Sequence, residues 1–381
     1  MSQSPIYSLC RPGGIPDEAG TPILIETHIS WVLMGDRSVY KFKKPLRYSF
    51  LDFSTLEKRR FYCRRELELN RRLTEDIYLG VVPVRQEARR WRLEAWREED
   101  EGEMPTENGA SDGRSGAENA WGSIVEYAVW MRKMEPSRRM DLLAREDKIR
   151  EAEIDALAEL LGRWHRGAEI VREGDARGEA ETMRHLFNDL AREREVLVPL
   201  LGAWAGEVID RALSFSDQFL GTHGTLMEGR RAAGLYRDGH GDLHCRNIFL
   251  LERPQVFDCI EFNDGLRQVD VLNDIAFLCM DLDTLGCGGL AERFFDRYCR
   301  EFPEAMGGSA AKRRSEKMRR EVLHLLEYYK AYRANIRAKI NSLRVRSAAT
   351  GEQRQKAQAA AAEYLRQMDA YLMADRSQRV G

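Results

Sequence analysis

The chain has 381 residues, 43% of them hydrophobic, enough to bury one large core or two lobes. Lys and Arg number 60 against 62 Asp and Glu, so a formal charge of −2 gives no global field favouring nucleic acid or an anionic membrane. Seven scattered cysteines without CxxC spacing exclude a zinc or thiol-redox motif, and no apolar stretch approaches the roughly 18 residues of a membrane span. With no basic-then-apolar leader, the expectation is a soluble cytoplasmic protein with neither nucleic acid nor membrane as partner.

Residues 1–22 carry Pro12-Gly13-Gly14, Pro16 and Gly20 and predict a loose N-terminal arm. From Ile23 to Lys44 the chain reads as β-rich, with runs at Ile29–Met34 and Ser38–Lys43 about a turn at Gly35-Asp36. Alternation places Val39, Lys41 and Lys43 on one face of the second run. Ser54, with Glu57 three residues on, forms a capping-box signature for a helix running through Glu66 to Leu73. A strand at Gly80–Val84 follows, then an acidic, Gly/Ser-rich stretch that predicts a flexible insert over 98–119. The apolar strand Ile124–Met131 closes a β-rich lobe over 23–132.

Beyond residue 133 the pattern turns helical. Ile154, Leu157, Ala158, Leu161 and Trp164 recur at three- and four-residue steps and make one apolar stripe. Further helical regions span 181–231 and 270–280, and long helices run from about 310 to 372, with Leu323, Leu326, Tyr329 and Tyr332 on one side. Strands early and helices late predict an α+β chain with a small β lobe and a larger helical lobe over 133–347. Residues 348–381 read as a C-terminal helical extension.

Within the helical region stands His240-Gly241-Asp242-Leu243-His244-Cys245-Arg246-Asn247, followed by Val256-Phe257-Asp258. An Asp, an Asn five residues later and a second Asp beyond a short hairpin follow the order that kinase-like phosphotransferases use to hold a hydroxyl and Mg²⁺-ATP. Asp242 is the candidate to orient the attacking hydroxyl or take its proton, with Asn247 and Asp258 offering oxygens to Mg²⁺. The plain alternative is a polar turn with a satisfied His and an N-capping Asp. His240 reads as a hydrogen-bond hub. Asp270 and Asp274, at the start of the next helix, read as acids complementing its dipole.

The HGDLHxxN run resembles the aminoglycoside phosphotransferase and choline kinase superfamily. It is closer still to a bacterial family labelled bifunctional aminoglycoside phosphotransferase/ATP-binding protein. The resemblance extends to Glu26–Val32, Val39–Pro45, Phe50–Arg60, Phe257–Asn263 and Tyr329–Ala334, and runs from about Ile23 to about Leu343. It implies a bilobal protein-kinase-like fold, ATP and Mg²⁺ as cofactors, and a small-molecule hydroxyl as acceptor. Members of that family often carry a second, C-terminal domain with a GxxxxGK(S/T) phosphate loop. Here Gly is never followed by Lys, so the chain reads as the phosphotransferase half, with a separate ATPase protein as candidate partner.

A phosphotransferase also needs a cation on the phosphates, fixed by a carboxylate. The resemblance favours Lys41, with Lys43 on the same face as runner-up, and Glu66 on the capped helix is the chosen partner over Glu68. In place of a glycine-rich phosphate loop the chain offers Thr27, His28 and Ser30 as donors, on the strength of the same resemblance. Glu261 is read as approaching a second metal or the substrate, or as pairing with Arg246 or Arg267. The basic stretch 312–346 reads as solvated helix faces, with Arg333 and Arg337 as alternative contacts for an anionic acceptor. A nucleotide-binding regulator or pseudokinase without turnover is the competing function.

Overall fold

The computed structural model describes residues 5–48, 51–87, 90–94, 123–173, 178–307 and 316–380; the insert expected over 98–119 lies outside them. The chain divides into two compact units. The first is Met1–Ser137 with Gln255–Asp264, the second Arg138–Pro254 with Gly265–Gly381.

The first unit holds β1 (Ile23–Glu26), β2 (Ser30–Met34), β3 (Ser38–Lys43), β4 (Arg47–Tyr48), β5 (Leu51–Asp52), α1 (Leu56–Arg71), β6 (Tyr78–Glu87), β7 (Arg90–Leu93) and β8 (Ile124–Arg132). Six of these strands form one antiparallel sheet in the order β1-β2-β3-β8-β6-β7. The two-residue alternation of β3 splits its side chains between the faces. Tyr40 and Phe42 join Leu33, Val84, Trp91 and Ala128 in one buried cluster. Each such fully buried apolar side chain contributes on the order of 1.5–3 kcal/mol. Lys41 and Lys43 take the opposite face, where α1 adds Cys63 and Leu67 to Val81, Val129 and Met131.

Two expectations change here. Residues 5–9 form a 3₁₀ turn rather than a loose arm, and Ile6, Leu9 and Ile15 are buried in the cluster with Phe42 and Trp91. The Pro and Gly residues supply the bends that let three apolar side chains cover an otherwise open sheet face, as at Gly13 with φ +69°. The helix cap also moves by one residue. The Thr55 hydroxyl accepts from the Lys58 N–H at 3.3 Å, while Ser54 bonds back to Asp52.

The second unit contains α2 (Met140–Arg145), α3 (Glu151–Gly167), α4 (Glu179–Asn188), α5 (Arg194–Leu201), α6 (Ala203–Ala232) and β9 (Tyr236–Asp238). After the loop come α7 (Asp264–Arg267), which begins at the unit boundary, α8 (Val271–Thr284), α9 (Gly288–Glu301), α10 (Glu316–Ser347) and α11 (Gly351–Val380). Helix α8 is buried without a break from Val271 to Leu282, its polar Asn273, Asp274 and Asp281 included. The α3 stripe buries Ile154, Leu157, Ala158 and Leu161 and ends on His165 rather than Trp164. Helix α11 is no appendage: it packs along α10 and α6 and buries Tyr364, Leu365 and Met368. Within the basic stretch Arg319, Arg320 and Arg346 are exposed as expected, whereas Arg333 and Arg337 are buried. Among the buried arginines of this unit, Arg230 meets Asp270 and Arg267 meets Asp238 bidentately.

Candidate functional site

In the first unit, Lys41 Nζ lies 2.8 Å from Glu66 Oε1 and 2.5 Å from Asp258 Oδ1. Lys43, two residues along the same strand face, reaches the other Glu66 oxygen at 2.8 Å and pairs with Glu261. Glu66 therefore bridges both lysines, and the two sequence candidates occupy different niches. The Lys43 side chain is 1% exposed and Lys41 16%. Burial pushes the Glu66 carboxyl up, but Lys41 and Lys43 more than reverse this and hold it at about 2. At Glu261 burial wins, and its carboxyl is raised despite Lys43. Burial works against charge on Lys41, but Asp258, Glu66 and Glu261 keep it well above its ordinary value.

Asp258 sits in this cluster because the backbone turns sharply there. Its φ of +64° is left-handed, a conformation Asp tolerates better than most residues. Its N–H donates to the Tyr78 hydroxyl at 3.2 Å, and the next N–H, of Cys259, donates to Asn70 Oδ1 at 2.9 Å. Asn70 is in turn tied to the Glu66 carbonyl. The helix that carries Glu66 thus also fixes the segment carrying Asp258, whose side chain remains 41% exposed.

In the second unit the loop from His240 to Asn247 is held from behind by α8. Asp274 accepts the His240 N–H at 2.7 Å and the Gly241 N–H at 2.9 Å, and Asp281, two turns on, accepts the Cys245 N–H at 2.9 Å. A Cβ on Gly239 would stand 2.5 Å from Asp274 Oδ2, and Gly241 has φ +82°, so glycine is required at both bends. The Arg333 guanidinium donates to the Gly241 and Asn273 carbonyls, locking the loop to α10. His165 Nε2, 3.2 Å from Asp274, completes the buried support. Burial pushes the Asp274 carboxyl up, and the His165 contact brings it below its ordinary value.

At the loop's surface, Asn247 Nδ2 donates to the Asp242 carbonyl at 3.0 Å and to its Oδ2 at 3.1 Å. His244 Nδ1 accepts the Arg246 N–H, so the neutral ring carries its proton on Nε2, 3.4 Å from the same Asp242 oxygen. Burial raises the Asp242 carboxyl, yet His244, Arg337 and His240 reverse this and leave it below the usual carboxylate range. Asp242 is thus an oriented, ionised carboxylate. With its amide nitrogen engaged, Asn247 keeps Oδ1 without a hydrogen bond among the described residues, and Asp258 Oδ2 is likewise open. Each is, within its own unit, the kind of hard oxygen donor that magnesium prefers. No cluster of three or more His, Cys, Asp or Glu side chains offers another metal site among the described residues.

The remaining candidates separate. The Thr27 hydroxyl is spent inside its own turn, donating to the Ser30 carbonyl and accepting its N–H. Ser30 is buried, with a hydroxyl lacking a partner, and His28 is exposed. Glu261 meets Lys43 rather than Arg246 or Arg267; Arg267 is committed to Asp238. Asp274 and Asp281 are the functional residues that sequence reasoning missed. Their seven-residue spacing on one helix face, behind a loop rich in backbone N–H groups, was the available signal. All seven cysteines are free, and no helix among the described residues is long and apolar enough to cross a membrane.

No family model matches the chain. It is 30% identical over 321 residues to uncharacterized proteins of Mycobacterium tuberculosis and Mycobacterium bovis, a match covering 84% of this chain and 54% of theirs. The chain therefore spans about half the length of the curated relatives it matches. Among solved structures, choline kinase from Cryptosporidium parvum is similar at a TM-score of 0.51 and 11% identity, over 98% of this chain and 95% of that one. An aminoglycoside 2'-phosphotransferase, as its GDP complex, is similar at 0.48 and 13%, over 99% and 98%. The fold is the α+β, kinase-like one expected from the sequence, with a β-rich unit and a mostly helical unit.

Proposed function

We propose that the chain is a Mg²⁺-ATP-dependent phosphotransferase that moves the γ-phosphoryl group to a hydroxyl of a small molecule. The observation that carries this reading is the Asp242 carboxylate, ionised and fixed by Asn247 and His244 in a loop braced by Asp274 and Asp281. Lys41, held by Glu66, supplies the cation for the ATP phosphates. Asn247 and Asp258 would each offer an oxygen to Mg²⁺, which when bound neutralises charge on the phosphate oxygens.

The depressed pKa of Asp242 makes it a weak base, so its main work is to orient the acceptor hydroxyl. In a loose transition state the hydroxyl proton becomes acidic late, and a nearby carboxylate takes it at that stage. Catalysis here is chiefly positioning and charge neutralisation. The choline kinase likeness and the aminoglycoside phosphotransferase name a small-molecule acceptor for those proteins, and the reading extends that class to this chain.

The test is ADP release from Mg²⁺-ATP, with and without fractionated cytosolic metabolites, for wild type and Asp242→Asn. An acceptor-dependent rate that falls about 10²–10⁴-fold in the variant, with folding unchanged, is the expected result. ATP binding without turnover in any fraction, indifferent to Asp242→Asn, would mean a nucleotide-binding regulator instead.

A further inference from the structure

We propose that the acceptor is an anionic hydroxyl compound, such as a hydroxy acid or a phosphorylated polyol, held beside Asp242 by Arg246, Arg337 and Arg344. The inference rests on the phosphotransferase reading for the word acceptor, but its evidence is independent and lies wholly within the helical unit.

Several arginines in that unit are matched by carboxylates. Arg230 meets Asp270, Arg267 meets Asp238, Arg293 meets Asp155, Arg297 meets Glu159 and Arg211 meets Asp369. Arg246, Arg337 and Arg344 form no ion pair among the described residues, and they belong to the loop and to the helix that grips it. Arg337 and Arg344 stand seven residues apart on α10, on the face that Arg333 begins by gripping Gly241. Arg246 projects from the loop itself, four residues after Asp242.

Burial works against the charge on Arg337, yet Tyr364, Asp242 and Asp281 act on it through space and raise it; no carboxylate bonds any of the three arginines directly among the described residues. Arg337 is 7% exposed, stacks 5.3 Å from the Tyr364 ring centroid, and has a buried Nε with no partner. Arg344 is half-buried and donates only to the neutral Asn341 Oδ1, at 3.2 Å. Of the nearby acids, Asp141 is engaged by Arg139, and Asp281 by the Cys245 N–H and the Tyr364 hydroxyl. Burial, then the like charges of Arg337 and Arg246, pull the Arg344 guanidinium below its ordinary value. Three guanidiniums without a directly bonded carboxylate hold unused donors suited to carboxylate or phosphate oxygens. They would repel choline or a polycationic aminoglycoside. A graded set, with Arg246 exposed, Arg344 intermediate and Arg337 buried, can grip one end of an acceptor whose hydroxyl faces Asp242.

The test starts without nucleotide. Calorimetric titration of the full chain would use D-gluconate 6-phosphate, D-gluconate, D-glucose and kanamycin. Binding of the anions and not of glucose or kanamycin is expected. Arg344→Gln should weaken it by about tenfold or more, with Arg344→Lys in between. Unchanged melting temperatures would establish folding. In ADP-release assays with the same compounds, Arg344→Gln should raise KM for the acceptor and leave KM for ATP alone.

The proposal is overturned if kanamycin or glucose binds as well as the anions, or if Arg344→Gln leaves anion binding untouched. It also fails if no anion binds a chain that still binds Mg²⁺-ATP. A rise in KM for ATP alone would assign the arginines to the nucleotide and sink it too. Arg344-dependent anion binding with no ADP release would uphold the anion site and remove the phosphotransferase reading, so the two failures are distinct.

Discussion

The two charged regions of this molecule are built on opposite imbalances. On the sheet of the first unit, two ammoniums face three carboxylates, Glu66, Asp258 and Glu261, and each cation is bonded twice. Beside Asp242 in the second unit, three guanidiniums have no carboxylate of their own. Elsewhere the chain holds one-to-one pairs, as in the buried Arg59–Glu126 and Arg230–Asp270 pairs. Matched pairs hold elements together; unmatched excess marks where a ligand of the other sign belongs. The acidic excess suits a divalent cation, and the basic excess suits an anion.

The sharpest way to break this comparison is to ask which lysine is structural. Lys43→Met would leave Glu261 buried without a partner and should lower stability by about 3–5 kcal/mol. Adding Glu261→Leu should recover most of that loss, because a hydrophobic replacement removes the stranded charge. Lys41→Met should cost only about 1 kcal/mol, since Lys43 still pairs Glu66 and Asp258 is partly solvated, but it should abolish turnover. Urea unfolding and ADP release on the same samples check both. If Lys41→Met proves the more destabilising, the division of labour is wrong.

The next effect is smaller and falls on the loop. Asp274→Asn retains one acceptor oxygen where two backbone N–H groups now donate, so one of them loses its partner. The loop should shift, and kcat should fall by about 10–100-fold, with KM for ATP unchanged. Asp281→Asn should act the same way through Cys245, more weakly, since it accepts a single loop N–H. Equal kcat in both variants and wild type would mean that α8 does not position Asp242.

Much of this was legible in the sequence because local chemistry and long-range geometry coincide there. The alternation of Val39, Lys41 and Lys43 put both lysines on one face, and the loop's Asp-to-Asn spacing is realised as a direct bond. What the sequence could not specify was partnership across distance. Glu261 looked ready for Arg246 or Arg267 nearby in the chain, yet its partner lies on a strand over two hundred residues earlier. Asp274 looked like a helix-dipole acid, since nothing local tells a capping carboxylate from one pointed at a loop. Tyr364 carried no signal, because its role depends on how α11 packs along α10. The N-terminal residues looked loose because Pro and Gly describe the bends, while the Ile6, Leu9 and Ile15 contacts depend on a sheet not yet formed.

The smallest effect sharpens the contrast through a lysine lacking any carboxylate bond. Lys339 donates to the Leu186 carbonyl at 2.8 Å, and burial draws its ammonium down to about 8, only partly offset by Asp189 and Glu193. Lys43, with two carboxylates, is shifted the other way. Because the folded value lies below the ordinary 10.5, the unfolded chain binds the extra proton between about pH 8 and 10.5. Stability from this group therefore rises with pH across that window. Lys339→Met should be more stable than wild type at pH 7 by on the order of 1–3 kcal/mol, and the gap should narrow as pH rises through the window. Urea midpoints at pH 7, 8.5 and 10 would test it. A gap that widens with pH would mean that Asp189 and Glu193 pair Lys339 more strongly than burial penalises it, placing it with the matched charges.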